Sequence, residues 1–212
     1  GTISPTTGSI YAFPSHHDRV MKVDTNPDCR CPDDGDDDDN NDGITLLEIH
    51  RPSYDVDKVT RYKWLGGCLG VDGNVYGMPS DASSILRINT KTDYVTTFGV
   101  VSGEKNKWQG GVLARDGRIY AIPSNAKNVL CLDTTTGNNK HGTNDDDNKE
   151  QKPGNDDKSM YSIELLGDLP PSKDKWQGGF IGNDGAIYCI PENFNQIMKV
   201  TPKGRNSTIV FL

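Results

Sequence analysis

The chain has 212 residues, of which 33% are hydrophobic and 25% charged, and its formal net charge is −7. This length predicts a single domain, and the low hydrophobic content fits many short strands joined by long polar loops. The charge argues against a nucleic-acid partner, because no basic stripe offsets phosphate repulsion. No apolar run approaches the ~20 residues that a membrane-spanning helix needs.

One pattern occurs four times along the chain. The equivalent tyrosines of the four copies are Tyr11, Tyr76, Tyr120 and Tyr188. Their spacings of 65, 44 and 68 residues indicate a bare unit of 44 residues, with insertions in the first and third copies. A unit of this length is typical of one four-stranded propeller blade, which takes ~40–50 residues.

The first two copies predict the following elements in chain order. In the first copy, strands are predicted over 10–13, 20–23 and 44–49, and Thr7-Gly8 stands at the turn before them. The second copy opens on a Gly-Gly strand that ends at Asp72-Gly73, and its later strands are predicted over 75–78, 85–88 and 94–98. Asp-Gly is a strong hairpin signal, because glycine accepts the positive φ of a tight turn.

The last two copies repeat this order. The third has its Asp-Gly turn at 116–117 and predicted strands over 119–122, 129–132 and 161–166. The fourth has its turn at 184–185 and predicted strands over 187–190, 197–200 and 207–212. Each second strand is closed by a proline and is apolar on both faces, which favours sheets that are covered on both sides.

These elements predict an all-β protein, a β-propeller built from four repeats of about 44 residues. The predicted blades span about 1–62, 63–106, 107–174 and 175–212, with insertions at about 26–43 and 137–158. We expect the chain to be a piece of a larger propeller or a processed chain. A self-contained four-bladed ring and a half-ring that dimerises are the alternatives.

The stretch from Asp116 to Asp133, Asp-Gly-x-Ile-Tyr-x-x-Pro followed by Val-Leu-x-Leu-Asp, resembles a known kind of repeat. It is similar to the repeats of the streptogramin-lyase, gluconolactonase-like and quinoprotein-like propellers, and the resemblance covers nearly all of the chain outside the insertions. It implies architecture rather than function. In the lyase family a His/Glu arrangement with magnesium carries catalysis, and no position here matches that motif.

The loops between second and third strands have equal lengths and different side chains, which is how a rigid scaffold presents a site. With the segments that enter each blade they predict ten ligand-binding residues: His16, His17, Asp18, Asp81, Asn125, Lys127, Glu192, Asn195, Lys107 and Gln109. The alternative is that these loops are solvated turns. A metal at His16 and His17 is a further alternative, although adjacent residues on an extended segment point apart.

The first insertion is strongly acidic, and Asp36, Asp38, Asn40 and Asp42 are its candidate metal ligands. The stretch that starts at Asp38 begins like a calcium-binding EF-hand loop. Its twelfth position is Ile49, however, where that loop needs an acidic residue. The alternative is a solvating, disordered loop. Calcium or magnesium is therefore the candidate cofactor.

Five cysteines do not form a disulfide framework. Cys189 replaces a small residue of the other copies and is predicted to be buried, whereas Cys131 stands where the others have Lys or Arg and is predicted to be partly exposed. Lys63, Lys107 and Lys175 form a repeated ring of positive charge, but the tryptophans beside them are predicted to mark blade-to-blade packing. The redox compartment stays open, and the sequence favours an extracellular location.

These features favour a non-catalytic binding or assembly module that contacts a protein, glycan or polymer through its loops, with self-assembly or dimerisation as a possibility. The first alternative is a metal-dependent lyase or lactonase with an ion on the propeller axis among Asp18, Asp81 and Glu192. The second is an acidic extracellular protein that binds calcium.

Overall fold

The computed structural model describes residues 1–25, 43–55, 58–135 and 161–212. This part of the chain contains sixteen β-strands, one 3₁₀ turn at Gly204–Asn206 and no α-helix. Within it, no helix is long and apolar enough to cross a membrane. Both predicted insertions fall almost entirely outside the described residues, as do the candidate metal ligands Asp36, Asp38, Asn40 and Asp42.

The strands form four antiparallel units of four consecutive strands each. Unit 1 contains β1 (Thr2–Ile3), β2 (Ile10–Ala12), β3 (Arg19–Val23) and β4 (Ile44–His50). Unit 2 contains β5 (Trp64–Leu69), β6 (Val75–Pro79), β7 (Ser84–Ile88) and β8 (Val95–Val100). Unit 3 contains β9 (Trp108–Leu113), β10 (Arg118–Pro123), β11 (Val129–Asp133) and β12 (Ser162–Leu166). Unit 4 contains β13 (Trp176–Ile181), β14 (Ile187–Pro191), β15 (Met198–Thr201) and β16 (Thr208–Phe211).

The Asp-Gly turns are fixed by their own side chains. In unit 2, Asp72 accepts a hydrogen bond from the backbone N–H of Asn74 through Oδ1 (3.2 Å) and one from the Tyr76 hydroxyl through Oδ2 (2.7 Å). The same hydroxyl-to-carboxylate bond joins Tyr120 to Asp116 (2.8 Å) and Tyr188 to Asp184 (2.9 Å). The aspartate therefore holds both the turn and the repeated tyrosine of the strand that follows.

The first strands of consecutive units lie against one another, β1 with β5, β5 with β9 and β9 with β13. Glycine allows this crowding. A Cβ on Gly67 would lie 1.9 Å from the carbonyl oxygen of Tyr76, and one on Gly111 would lie 3.1 Å from the Met78 side chain of the preceding unit. The Gly-Gly strands are therefore the innermost strands of the arrangement, as the sequence predicts.

Three apolar clusters fill the spaces between units. The first joins unit 1 to unit 2 and includes Tyr11, Val20, Trp64 and Val75. The second joins unit 2 to unit 3 and includes Met78, Ile85, Trp108 and Ile119. The third joins unit 3 to unit 4 and includes Ile122, Val129, Trp176 and Ile187. The prediction that second strands are covered on both sides is confirmed for β6, whose five residues are all buried.

At the outer edge, β4 pairs in parallel with β8 through Ile49–Val95 and His50–Thr96, so units 1 and 2 share one eight-stranded sheet. The architecture is thus all-β and consistent with a β-propeller. Cys189 is buried as predicted, but the prediction for Cys131 is wrong, because only 1% of its surface is exposed. It packs in the third apolar cluster, and burial raises the pKa of its thiol to about 12.

Candidate functional site

One end of the molecule carries the loops between second and third strands together with the segments that enter each unit. We call this end the loop face; it comprises loops 15–18, 80–83, 124–128 and 192–197 and the entering segments 51–55, 58–63, 101–107 and 167–175. Backbone hydrogen bonds join these parts, for example from Ser80 N to Lys63 O (2.9 Å) and from Lys107 N to Ser80 O (3.1 Å). Loops 80–83 and 124–128 are therefore each held between two entering segments.

Buried lysines fasten each loop to the next unit. The Lys107 ammonium donates to the carbonyl oxygens of Ser80 (2.7 Å), Ala82 (3.0 Å) and Glu104 (2.6 Å). Lys175 repeats this one unit later, with the carbonyls of Ser124 (2.8 Å), Ala126 (3.0 Å) and Ser172 (3.0 Å). These contacts give the lysine of the Lys-Trp pair a structural role. Burial lowers the pKa of Lys175 to about 8.

The residue directly before Lys63, Lys107 or Lys175 has a left-handed backbone: Tyr62 (φ 51°), Asn106 (φ 52°) and Asp174 (φ 50°). Each also meets the second residue of the preceding unit's loop. His16 lies edge-on to the Tyr62 ring (4.7 Å between centroids), Asp81 Oδ1 accepts from Asn106 N (2.6 Å), and Asn125 Oδ1 accepts from Asp174 N (2.7 Å). This row of paired residues follows the units across the loop face.

The row contains a dense polar cluster in unit 3 and in the segments that enter units 3 and 4. Asn106 Nδ2 donates to Asp174 Oδ1 (2.5 Å) and to Ser124 Oγ (3.2 Å), and its Oδ1 accepts from Gln109 Nε2 (2.9 Å). Gln109 Nε2 also approaches Ser124 Oγ (3.4 Å). We call Asn106, Gln109, Ser124 and Asp174 the mouth cluster. Four side chains from three chain segments thus converge on one point.

The mouth cluster uses its donors internally and keeps acceptors. Both polar atoms of the Asn106 amide are hydrogen-bonded within the cluster. By contrast, Asp174 Oδ2 and Gln109 Oε1 have no hydrogen-bond partner in the part of the chain that the structure describes, and both residues are half-buried. A carboxylate and an amide oxygen accept hydrogen bonds, so this point suits a ligand that supplies donors.

The structure places some of the ten predicted site residues in the row of the loop face and leaves the others apart from it. The structure brings Gln109, Asp81 and Asn125 to the mouth cluster or beside it, and places His16 against Tyr62 in the same row. The side chains of His17 and Asp18 are largely exposed, and His17 Nδ1 lies 3.7 Å from Asp18 Oδ1. Lys127, Glu192 and Asn195 are exposed residues of the other loops, and the Lys107 ammonium is committed to three carbonyls. Ligand contact by any of the ten stays a prediction.

Sequence reasoning missed Asn106, Ser124 and Asp174. The available signal was the position directly before Lys107-Trp108 and Lys175-Trp176, which is polar in both copies. The described residues contain no group of three or more His, Cys, Asp or Glu side chains placed to hold a metal ion. The calcium candidates of the first insertion lie outside those residues, so that prediction is untested.

Solved structures with the same fold include lyases and a lactonase. A streptogramin B lyase superposes with a TM-score of 0.62 at 12% identity, over 98% of this chain and 52% of its own. For virginiamycin B lyase from Staphylococcus aureus the TM-score is 0.61 at 14% identity, with 98% and 53% coverage. For the periplasmic gluconolactonase of Pseudomonas aeruginosa it is 0.56 at 12% identity, with 100% and 55% coverage.

The chain therefore spans about half the length of the structures that it matches. At these identities the likeness concerns the propeller fold and not an activity. No protein-family model matches the chain, and no curated protein does. The resemblance read from the repeats is confirmed at the level of the fold.

Proposed function

We propose that the four units are blades of a β-propeller and that the protein is a non-catalytic binding module that holds a glycan on its loop face. The mouth cluster carries this proposal. It offers acceptor oxygens on a frame fixed by buried lysines and tight turns, which is the arrangement of a preformed site for a polar ligand.

The acceptors suit sugar hydroxyls, which are hydrogen-bond donors. Asp174 and Gln109 offer one carboxylate and one amide oxygen, while the neighbouring Asn106 and Ser124 hold these two side chains in place. A charged acceptor forms stronger hydrogen bonds than a neutral one. Asp174 is therefore the residue whose replacement should weaken binding most.

An aromatic ring extends the same row. Tyr62 is 53% exposed, its ring lies edge-on to His16, and its carbonyl oxygen accepts from Asp81 N (2.8 Å). An exposed ring on a fixed backbone provides an apolar platform with a polar rim, which matches the C–H face of a sugar ring. Tyr62 and the mouth cluster would then contact different parts of one extended oligosaccharide.

Calorimetric titration with a panel of neutral oligosaccharides, namely cello-, chito- and manno-oligosaccharides, tests the proposal. We expect Asp174→Asn to weaken binding roughly 10-fold, because one charged acceptor becomes an amide. Asp168→Asn is the matched control: it removes the same charge from an exposed position of the same entering segment. No binding to any member of the panel, or equal effects of the two variants, would contradict the proposal.

The metal-dependent lyase or lactonase is the competing proposal. It predicts that the chain opens a lactone when magnesium is added, with Asp18, Asp81 and Glu192 near the ion. The same preparations are therefore assayed for hydrolysis of glucono-δ-lactone with and without magnesium. Turnover that depends on magnesium and is lost in Asp81→Asn would replace the binding proposal with the enzymatic one.

A further inference from the structure

The three contacts between units use the same positions each time. On the side that faces the following unit, each of units 1 to 3 supplies one apolar side chain from three places. The second strand, or the residue after it, supplies Phe13, Met78 and Ile122. The third strand supplies Val20, Ile85 and Val129, and the fourth supplies Leu47, Phe98 and Leu166. All nine side chains belong to, or pack against, the apolar cluster that joins their unit to the next. One packing scheme therefore recurs at every contact between units.

At the same positions of unit 4, nothing in the described part of the chain forms a cover. The equivalents are Ile190, Ile197 and Leu212, which are 43%, 38% and 59% exposed, whereas Met78, Ile85 and Phe98 are at most 2% exposed. Phe180 lies on the innermost strand of the same unit and is 71% exposed. We call these four residues the trailing face. It is an apolar surface of the kind that is buried in units 1 to 3.

Unit 1 presents the opposite half of the same contact. Each later unit turns buried residues toward the preceding one, in unit 2 Val75, Leu86 and Val95. By register, the equivalents in unit 1 are Ile10, Met21 and Ile44. These are 38%, 38% and 50% exposed, and we call them the leading face. Both halves of one repeated contact are therefore present and exposed among the residues that the structure describes.

The two faces also match in shape. At the inner contacts a side chain of one unit packs over a glycine of the next. A Cβ on Gly111 would lie 3.1 Å from Met78, and one on Gly179 would lie 3.1 Å from Ile122. By register the glycine of unit 1 is Gly1, where a Cβ would meet the Tyr11 carbonyl oxygen at 2.8 Å. Ile190 is the side chain that would occupy this place.

We propose that a second copy of this chain covers these surfaces, with the trailing face of each copy packed on the leading face of the other. The contact would continue the packing scheme already used three times, with Ile190 over Gly1 as Met78 lies over Gly111. Because each copy superposes on about half of a known propeller chain, two copies provide enough units for one closed ring. A ring of this kind leaves neither face open.

The proposed contact joins two separate chains, so we expect association that depends on concentration. It stands independently of the glycan proposal, since it involves none of the mouth cluster residues.

Sedimentation velocity over a concentration series tests this inference on the 212-residue chain. We expect a dimer, at twice the 23.2 kDa mass of one chain, that is lost in both Ile190→Lys and Ile10→Lys. Each variant keeps one intact face, so an equimolar mixture of the two should associate again. Recovery in the mixture also shows that both variants are folded.

Val100→Lys is the matched control, since it adds the same charge at a residue that is 67% exposed and belongs to neither face. It should leave the dimer unchanged. A wild-type chain that stays monomeric throughout the series would overturn the inference. So would a dimer that survives Ile10→Lys, because the trailing face would then pair with itself.

Discussion

The phenol of Tyr11 donates a 2.7 Å hydrogen bond to Asp93 Oδ1, although Asp93 belongs to the β7–β8 turn of the next unit. The other three repeated tyrosines use the turn aspartate of their own unit. Unit 1 has Thr7-Gly8 at that turn, so no aspartate is available there. Asp93 also accepts from Lys22 Nζ through Oδ2 (2.7 Å). A neighbouring unit thus replaces the missing carboxylate and joins units 1 and 2.

Removal of the Asp93 carboxylate should destabilise the fold. Asp93→Gly keeps the left-handed backbone (φ 58°) without strain but leaves Tyr11 and Lys22 without their acceptor. We expect a loss of about 2 kcal/mol in the free energy of unfolding, measured by urea denaturation. Lys91→Gly, in the exposed part of the same turn, is the control. Equal losses in the two variants would mean that the bond to Tyr11 contributes nothing.

Replacement of a buried lysine should be more costly. In Lys107→Met the carbonyls of Ser80, Ala82 and Glu104 lose a shared donor while the apolar stem is kept. We expect about 3 kcal/mol of destabilisation, because buried acceptors are left unpaired. Thermal unfolding measures it. Lys105→Met, two residues earlier and exposed, should change stability by less than about 0.5 kcal/mol.

The innermost strands should not tolerate a side chain at the second glycine. Gly67→Ala would place a Cβ 1.9 Å from the Tyr76 carbonyl oxygen, so the strand pair has to separate. We expect a loss of about 3 kcal/mol or an unfolded chain. Gly103→Ala is the matched control, because a Cβ there meets nothing within 4 Å. A well-folded Gly67→Ala protein with unchanged stability would contradict the close approach of the strands.

The turn of unit 4 should make stability sensitive to acid. Lys199 Nζ (2.8 Å), together with hydrogen bonds from Ala186 N and the Tyr188 hydroxyl, lowers the pKa of Asp184 to about 2. Because the unfolded chain binds this proton first as the pH falls, the contribution is complete above about pH 4 and is lost toward pH 2. Asp184→Asn should flatten the fall of unfolding free energy between these values. Asp168→Asn should keep the wild-type slope.

Local sequence signals predicted the repeated elements well. Asp72-Gly73 and Asp116-Gly117 mark hairpins because both the turn conformation and its aspartate–tyrosine bond lie within five residues. The buried strand β6 followed from apolar residues on both of its faces. The fold could be read because each unit repeats these short-range constraints.

Contacts between units could not be read in this way. Asn106 meets Asp174 across 68 positions, and Tyr11 meets Asp93 across 82. No spacing rule links such residues, since the packing of whole units brings them together. Cys131 was misjudged for a related reason: its equivalents are charged, but its own surroundings in unit 3 form an apolar cluster.

The mouth cluster is the proposed point of ligand contact. The direct measurement is an NMR titration of the isotope-labelled chain with the oligosaccharide panel, following the side-chain amide signals of Asn106 and Gln109. We predict that these signals shift in step with binding, while the backbone amides of Gly73 and Gly117, in the Asp-Gly turns of units 2 and 3, stay in place. Binding that moves the glycine signals and leaves both side-chain amides unchanged would contradict ligand contact at the mouth cluster.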